Sequence, residues 1–189
     1  MYLEFGLVNT GIAMKNIVLI GLMGVGKSTV GKKLAQKIGR DFIDTDQLIE
    51  DKCGTSISVI FEVEGEIGFR KRENKVISEV MGKKGKIIAT GGGAPIQKEN
   101  HEFLKKGYVI YLFAKPISIW KRLQYDDSRP ILQSTKNLKK RIEELFVSRD
   151  SIYRELADRI IIGDSLPMKV VIKKIMNVLK TEGLINKEL

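Results

Sequence analysis

One stretch narrows what this chain can fold into more than any other: Gly21-Leu22-Met23-Gly24-Val25-Gly26-Lys27-Ser28. An apolar run from Ile17 to Ile20 precedes it and Thr29-Val30-Gly31-Lys32-Lys33-Leu34-Ala35 follows, so the glycines stand between a buried strand and the first turn of a helix. That is the setting of a Walker A loop. Glycines at 21, 24 and 26 permit positive φ and let the backbone close on an anion. Successive N–H groups and the helix N-terminus then point at phosphate oxygens. Gly24, Val25, Gly26, Lys27, Ser28 and Thr29 are therefore the candidate nucleotide contacts. Lys27 is placed to reach the outer phosphates as a point charge, and the Ser28 hydroxyl to coordinate the Mg2+ that accompanies them. A glycine-rich turn ahead of an ordinary helix is the plainer alternative, and the full string with both flanks weighs against it.

At 189 residues the chain falls in the single-domain range and can bury one substantial core. No apolar run approaches the roughly 20 residues needed to span a bilayer, so no membrane partner is expected. Cys53 is the only cysteine, which excludes an intrachain disulfide and makes a reducing cytoplasm the default; as a small residue at a helix end it reads as structural. A net charge of +10 suits either nucleic acid or an enzyme with anionic substrates. The lysines fall in separated groups, Lys32-Lys33, Lys83-Lys84, Lys105-Lys106 and Lys139-Lys140-Arg141, as on solvated helix faces rather than along a groove for a phosphate backbone, so no nucleic-acid partner is expected. Residues 1–13 lack the basic start of a secretory signal and read as a leader, either an upstream start or a disordered extension, ahead of a single domain over 14–189.

Apolar β-prone runs recur at Ile17 to Ile20, Phe42-Ile43, Ile87 to Ala89, Tyr108 to Phe113 and Ile160 to Ile162. Uninterrupted apolar runs indicate strands covered on both faces, as in a parallel sheet. Helical stripes separate them: Val76, Ile77, Val80 and Met81, and later Val171, Ile175, Val178 and Leu179. The alternation predicts one α/β domain with right-handed crossovers.

Polar clusters sit where such a sheet would present them. Asp41-Phe42-Ile43-Asp44-Thr45-Asp46 ends a short strand with two carboxylates, and ligands of doubly wound sheets bind beyond the carboxyl ends of strands. Asp44 could support Mg2+ through water and Asp46 could accept the proton of an attacking hydroxyl, while Asp44 or Thr45 could equally cap a helix starting near Gln47. Gly65-Glu66-Ile67-Gly68-Phe69-Arg70-Lys71-Arg72-Glu73 opens a long helix of mixed charge, and by itself reads as a solvated face with pairs such as Arg70 and Glu73. Gly91-Gly92-Gly93 after a strand is costly in backbone entropy and favours close approach to a ligand over a bare turn.

Taken in order, GLMGVGKSTVGKKLA (21–35), DFIDTD (41–46), GEIGFRKRE (65–73), the triple glycine (91–93), SRPIL (128–132) and SRDSIYRELAD (148–158) resemble the shikimate kinase family. The resemblance runs from about Met14 to the last helical stripe. It implies an α/β, three-layer P-loop NTPase fold, a five-stranded parallel sheet flanked by helices with a mobile lid at about 125–136. It also implies transfer of the γ-phosphoryl group of ATP to the 3-hydroxyl of shikimate, with one Mg2+ per site. On this sequence it makes Asp46 the partner of the acceptor hydroxyl and places Asp44 near the metal. Arg70 and Arg149 become the clamp on the substrate carboxylate, and Gly92 and Gly93 the donors of backbone N–H groups. Arg129 becomes the lid arginine on the transferring phosphate and Arg122 the residue stacked on adenine. A small anionic polyol calls for arginines, whose guanidinium fork binds a carboxylate bidentately.

Three features depart from that pattern or fall outside it. Gly163-Asp164-Ser165-Leu166-Pro167 carries no basic residue, so adenine is expected to rest on backbone and apolar contacts. No separate Walker B aspartate is evident, which leaves Ser28 and Asp44 on the metal side. His101, the single histidine, lies in a charged stretch and is expected at the surface, whereas Trp120 is expected to pack. The rival readings are another small-metabolite kinase of the same fold, such as one acting on gluconate, and a regulatory nucleotide-binding protein. The chain is expected to act as a monomer on small molecules.

Overall fold

The computed structural model describes residues 14–124, 137–164 and 166–186. The leader over 1–13 and the lid over 125–136 lie outside them.

Five strands form one sheet: β1 (Ile17–Ile20), β2 (Phe42–Asp44), β3 (Ile87–Ala89), β4 (Tyr108–Phe113) and β5 (Arg159–Ile162). Their order is β2-β3-β1-β4-β5 and every pairing is parallel. Ile17 stands between Ile87 on one side and Tyr108 on the other. Parallel neighbours need a crossover, and the helices supply it: α1 (Lys27–Ile38), α2 (Thr45–Cys53), α3 (Ile57–Met81), the short α4 (His101–Leu104), α5 (Pro116–Leu123), α6 (Leu138–Leu156) and α7 (Met168–Thr181).

The chain leaves β1 for β2 and β3 on one side of it, then returns to β4 on the other. The order of strands therefore switches at β1, and the crevice of an open α/β sheet opens beyond the carboxyl end of such a strand. β1 is the most enclosed strand, with Ile17, Val18, Leu19 and Ile20 all fully buried. The glycine-rich loop that follows is thus held by the most rigid part of the sheet. β5 is an edge strand, half open to solvent, and Arg159 extends it one residue beyond its apolar run.

Local chemistry sets the helix ends. Gly26 starts α1 with φ 99°, and the first turn of that helix contains no acidic residue, so its N-terminal dipole is left for an anion. Asp44 caps α2, accepting from the N–H groups of Asp46 at 3.1 Å and Gln47 at 3.5 Å, so the helix starts at Thr45, two residues earlier than expected. The long helix begins before Gly65, at Ile57, and breaks there: Gly65 has φ 67° and ψ −176°, a combination essentially confined to glycine. The expected helix is the part after that break, and its stripe of Val76, Ile77, Val80 and Met81 is buried in the core. In α7, Val171, Ile175 and Leu179 are buried as their spacing requires, with Val178 at the margin.

Candidate active site

The loop after β1 and the triple glycine after β3 lie side by side. A Cβ on Gly92 would sit 3.3 Å from the Met23 nitrogen and 3.5 Å from the Gly21 oxygen, so a larger residue here would press on the phosphate loop. Gly21, Gly24 and Gly26 have φ of 140°, 73° and 99°, and the first two also lack room for a side chain against Leu112 and Leu123. Lys27 is buried, its Nζ donating to the Gly21 carbonyl at 2.8 Å and the Leu22 carbonyl at 3.0 Å. The ammonium is thereby held over the loop that frames it. Ser28 donates its hydroxyl to Asp44 Oδ2 at 2.5 Å, joining the start of α1 to the end of β2. This pairing supplies two hard oxygen ligands next to the phosphate loop, the set Mg2+ uses when phosphates and water complete its shell. Among the described residues there is no group of three or more His, Cys, Asp or Glu that could hold a metal without such help.

Two cavities meet at this loop. One of about 350 Å³ is lined by Gly24 to Gly26, Thr29, Leu112, Phe113, Arg122, Gly163, Leu166 and Met168. The other, about 240 Å³, is lined by Lys27, Ser28, Asp44, Asp46, Thr90 and Gly92, and shares Gly24, Gly26, Thr29 and Arg122 with the first. The first is suited to a flat apolar ring beside arginine, the second to phosphates and an acceptor. Arg122 spans the shared wall, donating to the Val25 carbonyl at 3.2 Å and the Gly163 carbonyl at 3.3 Å. It thus supplies the positive charge that the 163–167 loop lacks in its own sequence.

Beside the smaller cavity, which Gly92 lines, stands the triple glycine. A Cβ on Gly91 would lie 2.5 Å from Asp46 Oδ1 and 3.0 Å from Glu73 Oε1, and one on Gly93 would lie 2.6 Å from both Arg70 terminal nitrogens. Arg149 donates to the Gly92 carbonyl at 3.3 Å. Asp46, Arg70 and Arg149, carried by α2, α3 and α6, therefore converge on three consecutive glycines, and at Gly91 and Gly93 a Cβ would displace Asp46 and Arg70. Arg129 lies outside the described residues.

Glu73 belongs to the same cluster, although the mixed charge of its stretch predicts a solvated face. Its carboxylate is 1% exposed and accepts from Arg70 at 2.7 Å, so the Arg70–Glu73 pair is internal rather than solvated. Glu66 takes the outer side of the Arg70 guanidinium at 3.1 Å. Burial raises the Glu73 pKa, Arg70 opposes that rise and the nearby Asp46 carboxylate adds to it. Burial also works against the Arg70 charge, but Glu73 and Glu66 outweigh it and hold its pKa above the ordinary value. One Glu73 oxygen, Oε1, is buried without a hydrogen-bond partner. The spacing of Arg70 and Glu73 predicts the pair itself, but nothing in that spacing shows what covers it.

Several secondary expectations resolve here. His101 is half-buried rather than at the surface, its Nε2 lying 2.8 Å from the Pro95 carbonyl, because the chain after the triple glycine folds back through two short 3-10 turns beneath it. Trp120 packs against the core. Cys53 ends α2, within 3.4 Å of Arg72.

Fold and site together define a P-loop phosphotransferase for a small anionic acceptor. The sequence matches the family model for shikimate kinase over residues 23–180, and a shikimate kinase of Ralstonia nicotianae is 41% identical over 92% of each chain. A solved structure of shikimate kinase from Acinetobacter baumannii in complex with shikimate is 40% identical, covers 92% of this chain and 97% of its own, and superposes with a TM-score of 0.85. A gluconokinase from Sinorhizobium meliloti 1021, 15% identical over 88% of this chain and 92% of its own, reaches a TM-score of 0.59, a likeness of fold alone. This chain belongs to the shikimate kinase family.

Proposed function

We propose that the protein transfers the γ-phosphoryl group of ATP to the 3-hydroxyl of shikimate, giving shikimate 3-phosphate and ADP. The observation that carries this reading is that Lys27 and Ser28 line the same 240 Å³ cavity as Asp46. Phosphate loop and acceptor carboxylate thus face one cleft. Phosphoryl transfer needs little beyond that: alignment of acceptor and leaving oxygens, and neutralisation of charge on the equatorial oxygens.

In this reading adenine occupies the larger cavity against Arg122. Lys27 moves its ammonium from the Gly21 and Leu22 carbonyls onto the outer phosphates, and the N–H groups at the start of α1 face the same anion. Ser28 and Asp44 would hold Mg2+, which when bound neutralises the outer phosphates. Arg70 and Arg149 take the shikimate carboxylate, fixing the ring so that its 3-hydroxyl meets Asp46. As the hydroxyl oxygen bonds to the γ-phosphorus, its bond to the β–γ bridging oxygen breaks. Asp46 receives the hydroxyl proton and ADP departs. Arg129 completes the charge neutralisation from the lid. The working unit is one kinase domain over 14–189, a monomer in the cytoplasm; no helix among the described residues is long and apolar enough to cross a membrane.

The test is a coupled ADP-release assay with Mg2+ and ATP, run with shikimate, quinate and gluconate on wild type and Asp46→Asn. Turnover that requires shikimate and collapses by at least two orders of magnitude in the variant is expected, the range of a lost acid–base group. ADP release that no polyol acid stimulates would overturn the assignment.

A further inference from the structure

Behind the substrate clamp lies a buried hydroxyl that the mechanism above does not use. Tyr153 is 0% exposed, and its Oη donates to the Gly92 carbonyl at 2.6 Å. It lies one helical turn after Arg149 on α6, so both side chains leave the same face of the helix and reach the same oxygen. Burial pushes the phenol up to about 12, with the Arg149 charge pulling against it, so the group stays a neutral donor across the working range.

That oxygen belongs to the peptide linking Gly92 to Gly93. A peptide unit is planar and trans, so its carbonyl and the N–H of the next residue point in opposite directions. A donor that fixes the Gly92 oxygen toward α6 therefore turns the Gly93 N–H away from α6. Among the described residues, the N–H groups of Gly92 and Gly93 make no backbone–backbone hydrogen bond, whereas those of Ala94 and Ile96 donate to the Gly91 and Gly93 carbonyls. Glycine has no side chain to hold such a plane, and three in a row leave it free to rotate.

We propose that Tyr153 is a positioning residue for the acceptor, an inference that rests on the proposed reaction. Its hydroxyl fixes the Gly92–Gly93 peptide so that the Gly93 N–H meets the substrate. It also keeps the Gly92 carbonyl bonded when Arg149 turns its fork from that oxygen to the substrate carboxylate. Without it, each binding event would strip a half-buried carbonyl of its partner and would first have to orient a loose glycine peptide. Both costs fall on the acceptor and neither on the nucleotide.

Tyr153→Phe removes one oxygen and leaves the ring in its packing. Tyr111→Phe is the control: this ring packs on Tyr153 with centroids 5.1 Å apart, and its hydroxyl donates to Asp150 at 2.8 Å rather than to Gly92. Steady-state KM for shikimate and for ATP, with calorimetric binding of shikimate to the enzyme without nucleotide, are measured on wild type and both variants. Tyr153→Phe is expected to raise the shikimate KM and Kd about three- to tenfold, the range of one lost hydrogen bond, with KM for ATP within about twofold of wild type. Tyr111→Phe is expected to leave the shikimate values within about twofold. An unchanged shikimate Kd in Tyr153→Phe would overturn the proposal, as would an equal rise for ATP or an equal rise in Tyr111→Phe, either of which marks general loosening. Wild type that turns over ATP with no dependence on shikimate would overturn the functional reading, and the positioning role with it.

Discussion

Glu73 carries a tension that its surroundings do not fully relieve. One of its oxygens is paired with Arg70 while the other is buried without a partner, and Asp46 stands near enough to add to the rise of its pKa. The folded state therefore holds a proton on Glu73 more tightly than the unfolded chain does. For an acid whose folded pKa is raised, the favourable contribution is present below the unfolded value and is lost as pH rises through the folded value. Glu73→Gln cannot ionise, so its unfolding midpoint should gain on that of wild type as pH climbs from about 4.5, then run parallel above the Glu73 transition. The slope is the prediction; a constant offset would instead report only the changed contact with Arg70. A parallel pair of pH–stability curves throughout would show that Glu73 titrates in the native protein as it does in the unfolded chain. The same variant should raise the KM for shikimate, because a neutral amide holds Arg70 less firmly than a carboxylate. At Gly91 the constraint is steric: a Cβ would stand 2.5 Å from Asp46 Oδ1. Gly91→Ala should therefore lower kcat at least tenfold by displacing the acceptor carboxylate, with ATP still bound, since an ångström of misplacement at a reacting group is worth one to two orders of magnitude. Full turnover in that variant would mean that Asp46 acts from a different position.

Among the elements, α3 shows how a break can be functional without being a hinge in the sequence pattern. Its first half, from Ile57, precedes Gly65, and its second half brings Arg70 and Glu73 to the triple glycine. Arg72 pairs with Glu64 across the break, at 2.5 Å between Nη2 and Oε1. A Cβ on Gly65 would meet nothing within 4 Å, so alanine there is opposed by the backbone torsions alone. Gly65→Ala should cost about 1–3 kcal/mol in urea unfolding and weaken shikimate more than ATP, because the strain is relieved by rotating the half that carries Arg70. An unshifted urea midpoint would show that the break tolerates a side chain. This break was invisible in the sequence: an isolated glycine in a mixed-charge run fits a helix start as well as a helix interruption. The strands were the opposite case. The interior runs Ile17 to Ile20, Ile87 to Ala89 and Tyr108 to Phe113 begin and end where the sheet does, because a strand buried on both faces has no polar position to blur its ends.

For the whole molecule, what the sequence shows in order the fold rearranges in space. Lysines spread along the chain, Lys33, Lys37, Lys169, Lys173 and Lys180, line one groove between α1 and α7, a gathering that no spacing rule could reveal because it depends on how two distant helices pack. The active site was legible in a different way. Lys27, Ser28, Asp44 and Asp46 follow the ends of two strands consecutive in sequence, β1 and β2, whereas Arg70 and Arg149 stand apart in sequence and their convergence needed either the family resemblance or the fold. The two cavities share walls formed by the phosphate loop and Arg122, and Lys27 lines the smaller one together with Asp46, yet the charged groups proposed for the two ligands come from separate elements: Lys27 from α1 for the nucleotide; Asp46, Arg70 and Arg149 from α2, α3 and α6 for the acceptor. Ligand-induced stabilisation should be separable on that basis. At about a hundred times its Kd, each ligand adds about 2.7 kcal/mol, worth about 5–10 °C in Tm for a domain of this size. Lys27→Met should abolish most of the shift caused by ADP with Mg2+, since the outer phosphate loses its cation, while keeping the shift caused by shikimate within its own lower baseline. That baseline falls because the Gly21 and Leu22 carbonyls lose their buried donor. If both shifts vanish together in Lys27→Met, the acceptor site depends on the phosphate loop for its shape and not merely for its reaction partner.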